Sequence, residues 1–159
     1  MKPLLTFAAL ALALLAPARA AEEHPPHAPK ETYASGLGEI MSLQQMRHLK
    51  LWLAGAAKNW PLADYELDEL KEGFDDIAKF FPTKDDMPIG QMAGSTAVPT
   101  LPDVKAAIDA RDGKKFAAAF DKLTAACNTC HQATKHAFIV IQRPTSSPYS
   151  NQSFTPKKQ

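Results

Sequence analysis

Two cysteines and a histidine near the end of the chain constrain its fold most strongly. Residues 127–131 read C-x-x-C-H, the attachment pattern of a covalently bound c-type haem. On a helix, the sulfurs of Cys127 and Cys130 lie on one side, where each can form a thioether with a haem vinyl group. His131 lies one turn from Cys127, so its imidazole can reach the iron. A helix with this motif needs partner helices that enclose a porphyrin.

Three other chemistries use a C-x-x-C pair. A redox dithiol belongs in a βαβ context, whereas the chain shows no alternating-strand pattern of useful length. A structural zinc site usually needs four ligands from two such pairs, and this chain has only two cysteines. A disulfide would leave His131 without a role. Haem attachment is the favoured interpretation, and these three remain alternatives.

The first twenty residues resemble a secretory signal peptide. Lys2 supplies the charge, Leu4 to Leu15 form the apolar core, and residues 18–20 give a small-x-small cleavage site. We expect cleavage after Ala20 and export to the periplasm, because the apolar run is too short to span a bilayer stably. An uncleaved anchor is the alternative. Bacteria attach c-type haem outside the cytoplasm, so export agrees with the haem interpretation.

Composition divides the remaining chain into three segments. Residues 21–32 contain three prolines and few apolar side chains, which predicts a flexible linker. Residues 33–141 show helical periodicity and are long enough for one domain with a modest core. Residues 142–159 predict an irregular polar tail. Loss of residues 1–20 would leave 16 basic and 17 acidic residues, a balance that argues against nucleic-acid binding.

Apolar spacings of three and four residues predict four helices and an all-α fold. The first covers 33–57, the second covers 62–81, and a short third begins near residue 100. The fourth runs from near Lys114 to Ile141. Between the second and third, the prolines and glycines of 82–101 predict a long loop. The predicted inward faces are Leu37, Met41, Gln44, His48, Leu51 and Gly55; Leu67, Leu70, Phe74, Ile77 and Phe81; Val104 and Ile108; and Phe116, Phe120, Leu123, Cys127, Cys130, Thr134, Ala137 and Ile141.

The second helix and the tail each allow two interpretations. We expect the acidic face of the second helix to be a solvated surface, with docking of a basic redox partner as the alternative. The tail is either disordered or held against the helices by Tyr149 and Phe154, and Arg143 could meet a haem propionate. The acidic residues are Asp64, Glu66, Asp68, Glu69, Glu72, Asp75 and Asp76.

Four helices with C-x-x-C-H on the last one resemble the class II c-type cytochromes, the cytochrome c-prime group and its low-spin relatives. The resemblance covers about residues 33–141. It implies an antiparallel four-helix bundle with one haem c near the end of the last helix. It also implies that Cys127 and Cys130 attach the haem and that His131 is the proximal axial ligand. Proteins of this class are often dimers, so the resemblance allows a homodimer. The loop at 82–101, the short third helix and the tail depart from the family and indicate a divergent branch.

The resemblance places the distal position on the first helix, between Met41 and His48. These residues lie about 10 Å apart along a helix, so only one can ligate the iron. We expect His48, because a histidine that faces the core needs a polar partner and iron would supply one. Met41 is the alternative, an iron without a distal protein ligand is a third possibility, and the loop residues Met87 and Met92 are less favoured.

The sixth ligand decides the expected function. A six-coordinate iron suits an exported mono-haem electron carrier that serves an unidentified redox partner protein and has no enzymatic activity. An open distal side would instead bind nitric oxide or carbon monoxide. A haem peroxidase ranks last, because it needs distal acid–base groups and His48 is the sole candidate.

Overall fold

A computed structural model describes residues 35–157, and this part of the chain is helical or irregular, without a named strand. The helices are α1 (Leu37–Ala56), α2 (Trp60–Phe80), α3 (Ile89–Thr96), α4 (Leu101–Asp109) and α5 (Gly113–Ala133), with a 3₁₀ turn, Val98–Thr100, between α3 and α4. The predicted all-α class is confirmed. The predicted signal peptide and linker lie outside the described residues. None of the helices from α1 to α5 has the length and apolarity needed to cross a membrane.

Local capping explains where two of the long helices begin. Gly36 is extended (φ −71°, ψ 159°), and its N–H donates to Oε2 of Glu39 at 3.0 Å, so α1 begins at Leu37 rather than near residue 33. Asp112 is the N-cap of α5, and its Oδ1 accepts from the N–H groups two and three residues on, both at 3.0 Å. Each carboxylate satisfies backbone donors that have no partner within the helix.

The predicted long loop at 82–101 is wrong in its second half. Residues 89–96 form α3, and the 3₁₀ turn leads directly into α4. Pro88 is the N-cap of α3, and Pro99 lies at the start of the 3₁₀ turn, positions where a proline's missing N–H costs little. Gly90 allows close approach to α2, since an added Cβ would lie 3.0 Å from the Cα of Ala78. The two prolines and Gly90 therefore lie at positions where they are compatible with α3 and the 3₁₀ turn.

The last helix is shorter than predicted. It ends at Ala133 instead of Ile141, so Ala137 and Ile141 do not continue its buried face. Lys135 adopts a left-handed conformation (φ 64°), and the N–H of His136 donates to the carbonyl of His131 at 2.7 Å. Residues 138–141 are aromatic or β-branched and favour helix weakly. The chain therefore turns back beside the end of α5.

The core lies between α1, α2, α4 and α5, and α3 packs against α2 and α5. The predicted inward positions of α1 and α2 are largely buried, but Phe81 is only half-buried. Glu66 contradicts the expectation of a fully solvated acidic face, because it is 3% exposed. Its burial raises the pKa of the carboxyl, an effect opposed by the nearby charges of Lys50 and Arg47.

The polar tail is irregular, as predicted, and is held against the helices. Phe154 is buried in the core, and Tyr149 packs beside it. The side-chain amide of Asn59 donates to the carbonyl of Phe154 at 3.2 Å. Arg143 forms an ion pair with Asp121. The tail is thus part of the folded unit.

We expect Gly55→Ala to destabilise the protein by about 1–3 kcal/mol, the usual cost of overpacking a core. A Cβ on Gly55 would lie 2.1 Å from Cε1 of Phe116, so the buried ring, which is 1% exposed, or the α1 backbone must shift. Gly38→Ala in the same helix is the control, because nothing lies within 4 Å of its added Cβ. Urea unfolding of both variants measures the effect. Equal stability for the two would contradict this account of the α1–α5 contact.

Candidate haem cleft

Helices α1, α2, α3 and α5 enclose a largely apolar cleft, which we call the α1–α5 cleft. Its enclosed space measures about 50 Å³. A neighbouring groove of about 300 Å³ shares Met41, Gln45, Cys130, His131 and Ile141 with it. Clefts that hold small molecules or cofactors measure roughly 300–1,000 Å³, so the cleft reaches that range only together with the groove. The cleft is lined by Met41, Gln44, Gln45, His48, Leu70, Phe74, Ala93, Ala97, Leu123, Cys127, Cys130, His131 and Ile141.

The structure brings together the five residues singled out as candidate haem contacts. Cys127, Cys130 and His131 come from the last turns of α5, and Met41 and His48 come from α1. Their spacing on two facing helices places all five around one cleft. Their roles toward a haem stay predictions.

Both cysteines of the motif are free thiols. Burial raises the pKa of Cys127 to about 11, and burial also raises the pKa of Cys130. Both groups are therefore protonated at neutral pH and are poor thiolate nucleophiles. Between residues 35 and 157, no group of three or more His, Cys, Asp or Glu side chains is placed to hold a metal ion.

A hydrogen bond sets the tautomer of His131. Its Nδ1 lies 3.0 Å from the carbonyl oxygen of Ile139, and a carbonyl can only accept. Nδ1 therefore carries the proton, and Nε2 of the neutral ring keeps its lone pair. Metal-binding histidines commonly show this arrangement, with the second ring nitrogen donating to a backbone carbonyl.

His48 is buried in the cleft wall between α1 and α5. Its Nε2 lies 2.9 Å from Oγ1 of Thr124, whose single proton is donated to the carbonyl of Phe120 at 2.9 Å. Nε2 of His48 is therefore the donor in this pair, and Nδ1 keeps the lone pair. The ring packs on Phe120 with centroids 4.3 Å apart. Burial lowers the pKa of His48 to about 4, so the imidazole is neutral at physiological pH.

The methionine candidates differ in position. Met41 is half-buried and lines both the cleft and the groove. Met87 lines only the groove, and Met92 lines neither. His136 is half-buried and also lines the groove. Met41 is thus the methionine placed with all three motif residues.

Three residues that form hydrogen bonds at the site were not anticipated: Thr124, Asn128 and Ile139. Thr124 lies one turn before Cys127, so helical spacing could have placed it near the cleft. Asn128 occupies a variable position of the motif, and Ile139 acts through its backbone carbonyl. Neither carries a sequence signal for its contact, because the contact depends on how the chain turns after α5.

Comparisons with known proteins do not extend this interpretation. No protein-family model, curated protein or solved structure matches the chain. The function of the cleft is therefore inferred from its own side chains.

We expect Thr124→Val to lower the free energy of unfolding by about 1–3 kcal/mol, because it leaves the buried Nε2–H of His48 without an acceptor. Thr129→Val is a matched control: its hydroxyl also bonds the carbonyl four residues back, at 3.0 Å, but it is exposed and has no buried partner. That change should stay within about 0.5 kcal/mol of the parent. Urea denaturation provides the measurement, and equal losses in the two variants would contradict the His48–Thr124 hydrogen bond.

Proposed function

We propose that the protein is an exported mono-haem c-type cytochrome that carries single electrons in the periplasm. Cys127 and Cys130 attach one haem c, and His131 is its proximal axial ligand. The observation that supports this most directly is the Nδ1–H bond of His131 to a backbone carbonyl. It prepares Nε2 as a metal-binding lone pair on a residue that borders an apolar cleft.

The residues of the cleft suit a covalently bound porphyrin. Its walls are mainly apolar, as a macrocycle requires, and the two sulfurs border the same space as the imidazole. Both cysteines carry the S–H group that thioether formation consumes, since sulfur joins one vinyl carbon and hydrogen joins the other. When bound, the haem iron supplies the chemistry by alternating between its ferrous and ferric states.

We propose that α1, α2, α4 and α5 form an antiparallel four-helix bundle. Three residues connect α1 to α2, and three connect α4 to α5. Connections this short favour antiparallel neighbours. The contacts between α1 and α2 and between α4 and α5 agree with such pairing. This is the architecture that the resemblance to class II c-type cytochromes implies, with α3 as an additional helix.

We propose His48 as the sixth ligand, with Met41 as the alternative. The expectation that iron must satisfy His48 loses force, because Thr124 already accepts its Nε2–H. Two observations still support it. Burial keeps its imidazole neutral, as metal binding requires, and its hydrogen-bond partner lies one turn from Cys127. Six-coordinate iron favours electron transfer to a redox partner protein over catalysis.

Haem attachment is tested on the full-length protein produced in cells that assemble c-type cytochromes. We expect the exported protein to be heavier than its polypeptide by one haem that resists acid–acetone extraction. The double variant Cys127→Ser/Cys130→Ser should lose this mass, and Thr129→Val, within the same motif, should keep it. Intact-protein mass spectrometry measures the difference, and a parent protein without the added mass refutes the proposal.

The sixth ligand is tested by optical spectra of His48→Leu and Met41→Leu. We expect the parent to be low-spin and unaffected by carbon monoxide. His48→Leu should become high-spin and bind the gas, because it opens a coordination position, whereas Met41→Leu should stay low-spin. The opposite pattern assigns Met41. A high-spin parent that binds carbon monoxide would favour the alternative function, a gas-binding protein.

A further inference from the structure

The segment that follows α5 exposes most of its apolar side chains and makes several polar contacts. After the left-handed turn at Lys135, residues 136–141 return beside the last turns of α5, and the N–H of Ile139 donates to the carbonyl of His136 at 2.8 Å. Phe138 and Val140 are 79% and 71% exposed, and Ile139 is 41% exposed. Burial of these side chains therefore contributes little to the position of the segment. We call residues 136–141 the return segment.

Asn128 binds the return segment through a pair of opposed hydrogen bonds. Its Nδ2 donates to the carbonyl of Ile141 at 2.8 Å, and its Oδ1 accepts from the N–H of the same residue at 2.8 Å. This two-point contact needs one donor and one acceptor on a short side chain, which an amide supplies. It joins the spacer between the two cysteines to a residue thirteen positions later.

The contact lies close to the carbonyl that bonds His131. Ile139 is two residues before Ile141, and its carbonyl oxygen accepts from Nδ1 of His131 at 3.0 Å. The ion pair of Arg143 with Asp121 holds the chain further on, but both of those side chains are exposed, and exposed pairs contribute little. After Ile139, the half-buried Asn128 contact is thus the nearest attachment of the chain to α5; before it, the N–H of His136 donates to the carbonyl of His131.

We propose that Asn128 is a positioning residue that holds the Ile139 carbonyl against Nδ1 of His131 and so fixes the tautomer of that ring. The effect on iron rests on the proposed function, whereas the effect on the tautomer does not. A histidine that donates through Nδ1 is a more basic ligand at Nε2, and a more basic ligand favours ferric iron. Asn128 therefore lowers the reduction potential of the haem.

The test compares the parent with Asn128→Leu, Asn128→Asp and Thr129→Val. The leucine removes both hydrogen bonds. The aspartate keeps the size of the side chain but loses the donor and sets a carboxylate oxygen against the Ile141 carbonyl. Thr129 shares the spacer, but its exposed hydroxyl donates to the carbonyl of Ala125 within α5, so Thr129→Val is the matched control. If the leucine variant does not fold, the aspartate variant decides.

Two measurements separate this inference from the proposed function. In the haem-loaded proteins, Asn128→Leu should show a more positive midpoint potential, and Thr129→Val should match the parent. Asn128→Asp also adds a negative charge that stabilises ferric iron, so it is compared only by its tautomer ratio. In the full chain carrying Cys127→Ser/Cys130→Ser, the ¹⁵N shifts of the His131 ring should report a proton on Nδ1. Asn128→Leu in that background should move the tautomer ratio toward Nε2–H by roughly tenfold, the worth of a hydrogen bond.

The outcomes are distinct. A haem-loaded Asn128→Leu protein with the parent's potential, or an unchanged tautomer ratio in the haem-free chain, overturns the role of Asn128. A parent that attaches no haem refutes the proposed function instead, and the ring shifts of the haem-free chain then decide the role of Asn128 alone.

Discussion

The close contact between α1 and α5 is the constraint on which the candidate site depends. Gly55 lets the ring of Phe116 approach the α1 backbone. Two turns earlier in α1, His48 packs on Phe120 and hydrogen-bonds Thr124, which lie one and two turns after Phe116 in α5. These contacts fix the two helices side by side at a defined register. They place the N-terminal half of α1 beside the motif at the end of α5. The cleft between the candidate ligands is a consequence of that register.

Much of the fold followed from the spacing of apolar residues along the chain. A face of α1 that includes Gln44, His48 and Leu51 is buried as predicted, because helical periodicity depends only on which residues avoid water. The errors arose where a tertiary contact overrides local preference. Prolines suggested a loop where α3 forms, and an apolar run suggested a longer α5 where the chain turns back. Glu66 is buried, although the acidic residues around it on the second helix predicted a solvated face.

The sequence predicted which side chains carry the chemistry of the site, but it did not predict which groups hold those side chains in place. The motif itself identified Cys127, Cys130 and His131, and helical spacing placed Met41 and His48 toward the interior. The groups that orient these side chains are a threonine hydroxyl and a backbone carbonyl, and they act on His48 and His131. Any residue can supply a carbonyl, so the composition of the return segment does not reveal such a partner. The histidine tautomers could be inferred only from three-dimensional contacts.

Trp52 packs between the buried ring of Phe120 and the guanidinium of Arg143 in the tail. Its indole lies 5.0 Å from the ring centroid of Phe120, and the guanidinium of Arg143 lies 4.3 Å from the centre of its ring. Release of the tail would uncover this face of the indole while the helices stayed paired. In the haem-free chain carrying Trp60→Phe, which leaves Trp52 as the single tryptophan, the emission of Trp52 therefore distinguishes local detachment of the C-terminal segment from loss of the whole fold.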